Sequence, residues 1–250
     1  MKQELIAELD ELAARCWPAA DEELHGGWTL RYAGGFTFRA NSVRARSLDG
    51  DAEAAIDEAE RAYRARGLRA VFHLSPVADP PDLDERLARR GYALEHPSAV
   101  LACDIAEAMR RIDAPPHAVE LGSRLDQPWL ETFRQAERRW PIAQDAAAAH
   151  VLTTGADERR FALAAVAGAP AATGYARIAD EWLYLSCIAT LPALRRGGLG
   201  RAVSAALLGF GHAGGACSAF LEVDARNEAA IALYASLGFR PVYGYHYRVG

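Results

Sequence analysis

The chain has 250 residues, 51% hydrophobic and 24% charged, which is enough apolar material for one large folded domain or two small ones. A formal net charge of -5 argues against a general nucleic-acid binder, because neutralising phosphates takes a basic face. Cys16, Cys103, Cys187 and Cys217 lie far apart with no C-x-x-C pair, and the histidines show no metalloprotease spacing, so neither a disulfide framework nor a metal site is expected.

The first twenty residues read as an amphipathic helix with Leu5, Ile6, Leu9 and Leu12 on one face, ended near Pro18. Its acidic character is unlike a secretory leader, so a cytoplasmic protein is expected. Residues 28–33 and 36–43 alternate and predict a hairpin joined at Gly34-Gly35. Residues 51–66 predict a helix with Ile56, Ala59 and Tyr63 as its stripe and Gly67 as its stop. A short strand over 69–75 and a helix over 81–90, ended by Gly91-Tyr92, complete the first part. Residues 106–117, with Pro115-Pro116, are the expected linker.

Beyond it the pattern predicts a strand over 119–125 and a helix over 128–139, with Trp129, Phe133 and Trp140 available to a core or pocket. Residues 141–158 are less regular. A hairpin of 161–166 with 173–178 then turns across Gly168-Ala169-Pro170. Residues 202–221 are apolar enough to raise a membrane span, but Gly209, Gly211, Gly214 and Gly215 interrupt them, which favours a buried helix, a turn and a strand.

The stretch with the most chemical content is 182–201, WLYLSCIATLPALRRGGLGR. A buried strand runs to Ile188, Pro192 stops it, and glycines lead into a helix. The first N–H groups of a helix lack intrahelical partners and sit at the positive end of its dipole, so an anion satisfies them. Glycines let phosphate approach the backbone, and Arg195, Arg196 and Arg201 add positive charge. No lysine follows, as a mononucleotide P-loop requires, and Val203 stands where a dinucleotide loop needs its third glycine. Residues 220–239, FLEVDARNEAAIALYASLGF, add a strand, an asparagine, a helix carrying Leu-Tyr and a closing Gly-Phe.

The ordered pair, Arg195-x-x-Gly198-x-Gly200 and then the 220–239 block, resembles the GNAT superfamily of acyl-CoA-dependent N-acyltransferases. The fold this implies is α/β (α+β), a mixed and mostly antiparallel twisted sheet flanked by helices. The resemblance implies acetyl-CoA as co-substrate and an amine-bearing acceptor of open identity. It places Ile188, Ala189 and Thr190 along the acetyl and pantetheine arm. Arg195, Arg196, Gly197, Gly198, Leu199, Gly200 and Arg201 fall on the pyrophosphate, and Asn227 falls on both the cofactor and the next helix. Tyr234 matches the family's frequent general acid. Glu222 stands where bacterial ribosomal-protein alanine acetyltransferases carry a glutamate base, their LEV…N…A…LY…LGF run being similar over about residues 160–240. Cys187 reads as core packing.

Leu87-Ala-Arg-Arg-Gly91-Tyr92 has the shape of Tyr234-Ala-Ser-Leu-Gly238-Phe239, a weak internal duplication. In the first copy Asp49 and Asp51 stand where phosphates would sit. The resulting expectation is two tandem units, a degenerate one over 1–110 and a catalytic one over 118–250, as a monomer or homodimer without nucleic acid or membrane as partner. A non-catalytic acyl-CoA-binding regulator is the alternative.

Overall fold

The computed structural model describes residues 2–113, 117–137 and 145–250. The first half runs α1 (Lys2–Cys16), β1 (Asp21–His25), β2 (Trp28–Tyr32), β3 (Val43–Arg44), α2 (Ala52–Ala65), β4 (Val71–Leu74), α3 (Leu83–Arg89) and β5 (Ala93–Asp104). The second runs α4 (Ile105–Arg110), β6 (Val119–Gly122), α5 (Gln127–Ala136), α6 (Asp145–Thr153), β7 (Arg159–Val166), β8 (Ala169–Ala179), β9 (Trp182–Thr190), α7 (Leu199–Ala213), β10 (Ser218–Asp224), α8 (Glu228–Ser236) and β11 (Arg240–Val249).

The eleven strands of the described residues hydrogen-bond into one sheet, ordered β1-β2-β3-β4-β11-β5-β10-β9-β8-β7-β6. Each half contributes one parallel pair, β3 with β4 and β9 with β10, and every other pairing is antiparallel. The halves also exchange their last strands. β5, which closes the first, lies between β10 and β11, while β11, which closes the second, lies between β4 and β5. Residues from both halves therefore meet along the middle of the sheet.

Alternation on the central strands sorts side chains onto two faces. Leu183 and Leu185 of β9 and Ala219, Leu221 and Val223 of β10 join Val203 and Leu207 of α7 in one cluster. Tyr184 and Phe220 point to the opposite face, with Trp17, Trp129 and Tyr175. A third cluster buries Ile56, Ala59 and Tyr63 of α2 against Leu30, Val43 and Phe72. No helix among the described residues is long and apolar enough to cross a membrane.

Three local expectations give way to the structure. The hairpin at the start pairs β1 with β2 across Gly26-Gly27, and residues 36–43 fold mostly into a loop with a 3-10 turn (Phe38–Ala40). The buried Asn41 decides this. Its Oδ1 accepts from the Ala33 and Gly35 amides (2.7 and 3.0 Å), and its Nδ2 donates to the Phe36 and Thr37 carbonyls (2.6 and 3.0 Å). Such local bonds offer the backbone an alternative to a strand ladder. Gly27 fits because a Cβ there would lie 1.8 Å from the Ser47 carbonyl oxygen. The expected linker instead begins with α4, started by Asp104 Oδ1 accepting from the Glu107 amide at 2.7 Å, while Ala114, Pro115 and Pro116 lie outside the described residues. Part of 141–158 is helical as α6, and 138–144, with Trp140, also lie outside the described residues.

Candidate active site

β9 and β10 pair in register from Trp182↔Ser218 to Leu185↔Leu221 and no further, although both strands continue. The opening is forced from the β8 side. Between Tyr175↔Ser186 and Thr173↔Ala189, β8 advances two residues and β9 three, a bulge that leaves Cys187 at φ 53°. Bulges bend a strand and raise its local twist, and here the bend carries β9 away from β10.

α7 begins just past this opening. Gly198 occupies its N-cap position at φ 83°, a left-handed conformation that suits glycine. No side chain caps this end, and no acidic residue lies in the first turn. A Cβ on Gly200 would stand 3.3 Å from Leu233 Cδ2 of α8, so a larger residue would push the two helices apart. The result, among the described residues, is a helix start with neither a side-chain cap nor an acidic residue in its first turn, the chemistry that suits a phosphate group.

A cavity of about 620 Å³ opens beside the divergence. Leu185 to Ile188 of β9, Leu221 to Asp224 of β10, and Asn227 and Tyr234 of α8 form one side. The first half forms the other, with Trp17, the 35–39 loop, His96 and Ser98. Tyr245 and Tyr247 of the exchanged strand β11 complete the wall.

Residues 4–248, nearly the whole chain, match the family described as "Probable histone acetyltransferase Rv0428c C-terminal". Over 247 residues the chain is 30% identical to "Uncharacterized N-acetyltransferase YobR" of Bacillus subtilis (strain 168), covering 98% of each. The chain belongs to the GNAT N-acetyltransferases. Its fold agrees with a GCN5-related N-acetyltransferase from Kribbella flavida (TM-score 0.73, 19% identity, covering 98% of this chain and 95% of that one). It also agrees with a tandem GNAT protein from the clavulanic acid biosynthesis pathway (TM-score 0.65, 13% identity, 97% and 87% covered).

Within this GNAT chain, Ile188, Glu222, Asn227 and Tyr234 all line the cavity. Ala189 and Thr190 follow on β9 and are not among its lining residues. Asn227 caps α8, its Oδ1 accepting from the Ala230 amide at 3.1 Å. Tyr234 is 7% exposed and packs against Phe239 with ring centroids 5.7 Å apart, and burial raises its phenol well above the ordinary range. Burial also pushes the Cys187 thiol up to about 12, so it is a poor nucleophile.

The arginines of the turn divide in role. Arg195 donates to the Thr190 and Ala136 carbonyls (3.2 and 3.3 Å), and Arg201 donates to Ser236 Oγ and the Arg111 carbonyl (2.8 and 2.6 Å). Both brace the loop. Arg196 is exposed at φ 68°, Leu199 is buried in the core, and the Gly197 carbonyl accepts from His117 Nε2 at 2.6 Å.

Glu222 has partners that its sequence position does not reveal. Its Oε2 accepts from Arg39 Nη1 at 3.1 Å and from the Tyr184 hydroxyl at 3.0 Å. Arg39 Nη1 also donates to the Tyr184 hydroxyl at 2.5 Å, and its guanidinium lies 4.2 Å from the Trp17 ring centre. Arg39 and Glu222 are 183 residues apart, and Arg39 sits in a loop whose pattern suggested a strand. One comes from the loop between β2 and β3 and the other from β10, so the pair joins the two halves.

Proposed function

We propose that this protein transfers the acetyl group of acetyl-CoA directly to a primary amine. The observation that carries the reading is the coincidence, at the end of one parallel strand pair, of an uncapped glycine-flanked helix start and a cavity lined by Tyr234 and Glu222. The backbone amides at the start of α7 would hold the diphosphate, and the unpaired edge of β9 about Ile188 would lie along the pantetheine arm. Glu222 would take the proton of the acceptor ammonium, freeing the nitrogen to attack the thioester carbonyl. As the C–S bond breaks, Tyr234 would give its proton to the departing sulfur, for which its raised pKa keeps that proton available. The protons balance: two leave the nitrogen, one to Glu222 before attack and one as the amide forms; Tyr234 supplies one to the thiol and regains one, and the net proton passes to solvent.

We also read the chain as two GNAT-like halves of which only the second binds cofactor. In the first, the start of α2 is occupied by the chain itself, Asp51 Oδ2 accepting from the Ala54 amide at 2.9 Å. The test is release of free coenzyme A from acetyl-CoA across a panel of primary amines, with the acylated amine identified by mass. An acetylated product in the wild type, lost in Tyr234→Phe, is the expected result. Tight acetyl-CoA binding without turnover on any amine would instead support a non-catalytic acyl-CoA sensor.

A further inference from the structure

We propose that the acceptor is a small primary amine on an aromatic or apolar carrier, bound between the two halves with its ammonium turned to Glu222 and its carrier against Trp17, Phe38 and Tyr247. This rests on the acetyl-transfer reading above for the reaction, and adds to it the chemical class of the second substrate.

The wall opposite the cofactor side is aromatic and continuous. Phe38 meets Tyr247 with ring centroids 5.4 Å apart and His96 at 5.2 Å, and Tyr245 meets Tyr247 at 5.7 Å. Trp17 and Tyr247 line the cavity but are almost fully buried, so the ring surface open to a ligand there is chiefly that of Phe38. A cavity of about 620 Å³ with an apolar wall and a few convergent polar groups is the usual seat of a small ligand. Part of it must admit the acyl end of the co-substrate, which leaves room for a compact molecule.

The charge points to a cation. Glu137, Glu222 and Asp224 line the cavity; Asp224 is paired with Arg226 at 2.8 Å, and the guanidinium in the lining, Arg39, is bound to Glu222 Oε2, Tyr184 and the Trp17 ring, which leaves Glu137 and the second oxygen of Glu222 facing an acceptor. His96 stands 3.8 Å from Glu95. Among the described residues that line the cavity, the one guanidinium an acceptor's carboxylate or phosphate would meet is Arg39, already bound to Glu222. An ammonium finds carboxylate and ring faces, the combination that already holds Arg39.

The topology disfavours an extended peptide. A peptide strand gains most of its affinity by pairing with a sheet edge. The outer edges of the sheet are β1 and β6, and neither contributes a residue to the cavity; the edge of β9 that opens beyond Leu185 is the one assigned above to the pantetheine arm.

The test is calorimetry on the full chain saturated with coenzyme A, titrated with benzylamine, benzyl alcohol and Nα-acetyl-lysine methylamide. Benzylamine is expected to bind at least about tenfold more tightly than the other two, a difference of roughly 1.4 kcal/mol. Glu222→Gln should erase its advantage over the alcohol, and Phe38→Ala should weaken it about fivefold while coenzyme A affinity stays within about twofold. Equal binding of amine and alcohol, no binding of either, or preference for the lysine derivative would overturn the proposal. If coenzyme A itself gives no heat, the cofactor reading fails separately, and the same three titrations on the cofactor-free chain still decide the amine seat.

Discussion

The two halves each place a helix after the first strand of a parallel pair, and the two helix starts have opposite chemistry. α2 begins with Asp51 capping its own backbone and Glu53 in the first turn. α7 begins with Gly198 in the left-handed region, with neither a side-chain cap nor an acid in the first turn. The space beside the pairs differs in the same sense. Beside β3 and β4, Asp10 of α1 binds Arg44 and Arg46 at 2.7 Å each and lies 3.6 Å from His73. Burial alone would raise the Asp10 carboxyl, but His73, Arg44 and Arg46 outweigh it and leave it below its ordinary value. Beside β9 and β10 the chain leaves a cavity. One arrangement of strands and helices thus yields one helix start closed by its own aspartate and one without a side-chain cap.

The largest effect should come from closing the open half. Gly198→Val with Gly200→Leu forces a branched residue to φ 83° and drives a side chain toward Leu233. Acetyl-CoA affinity should fall by more than about a hundredfold in calorimetry, from backbone strain of roughly 1–3 kcal/mol plus lost approach. Next, Tyr234→Phe should lower turnover about a hundredfold while cofactor affinity stays within about twofold. Because burial raises this phenol, its protonated form persists above the pH at which an ordinary tyrosine ionises. The wild type should therefore keep its turnover through about pH 10, and a decline set by an ordinary tyrosine value would remove Tyr234 as the acid.

Smaller changes probe the contact between halves and the closed half itself. Arg39→Ala leaves the Glu222 carboxylate, 6% exposed, without its guanidinium. We expect a loss of about 2 kcal/mol in denaturant unfolding, below the value for a fully buried pair because Arg39 is 27% exposed. Asp51→Ala should cost about 1 kcal/mol as a lost helix cap and leave acetyl-CoA binding unchanged. A gain of cofactor binding elsewhere in the chain on that substitution would blur the contrast between the halves.

The open half was largely legible in the sequence because its elements are set by local chemistry. Pro192, Gly198 and Gly200 mark the strand-to-helix turn, the apolar run along 182–188 reads as a buried strand, and Asn227 announces the α8 cap. The cavity's far wall was not legible. Trp17 and the loop carrying Phe38 and Arg39 come from the first half and Tyr247 from the exchanged strand β11, a meeting of segments distant in the chain for which no local signal exists. The loop carrying Phe38 and Arg39 even has the alternation of a strand, overridden by four hydrogen bonds from one asparagine, Asn41. The opening of β9 from β10 is implied by the family resemblance, but the bulge against β8 that accompanies it leaves no mark in composition.

That the bare start of α7 grips a diphosphate is tested most directly by comparing acetyl-CoA with S-acetylpantetheine, which keeps the thioester arm and lacks the diphosphate. Calorimetry on the full chain should show acetyl-CoA binding at least about a hundredfold more tightly, and Gly198→Val should remove most of that difference. Equal affinity for the two thioesters would contradict the assignment.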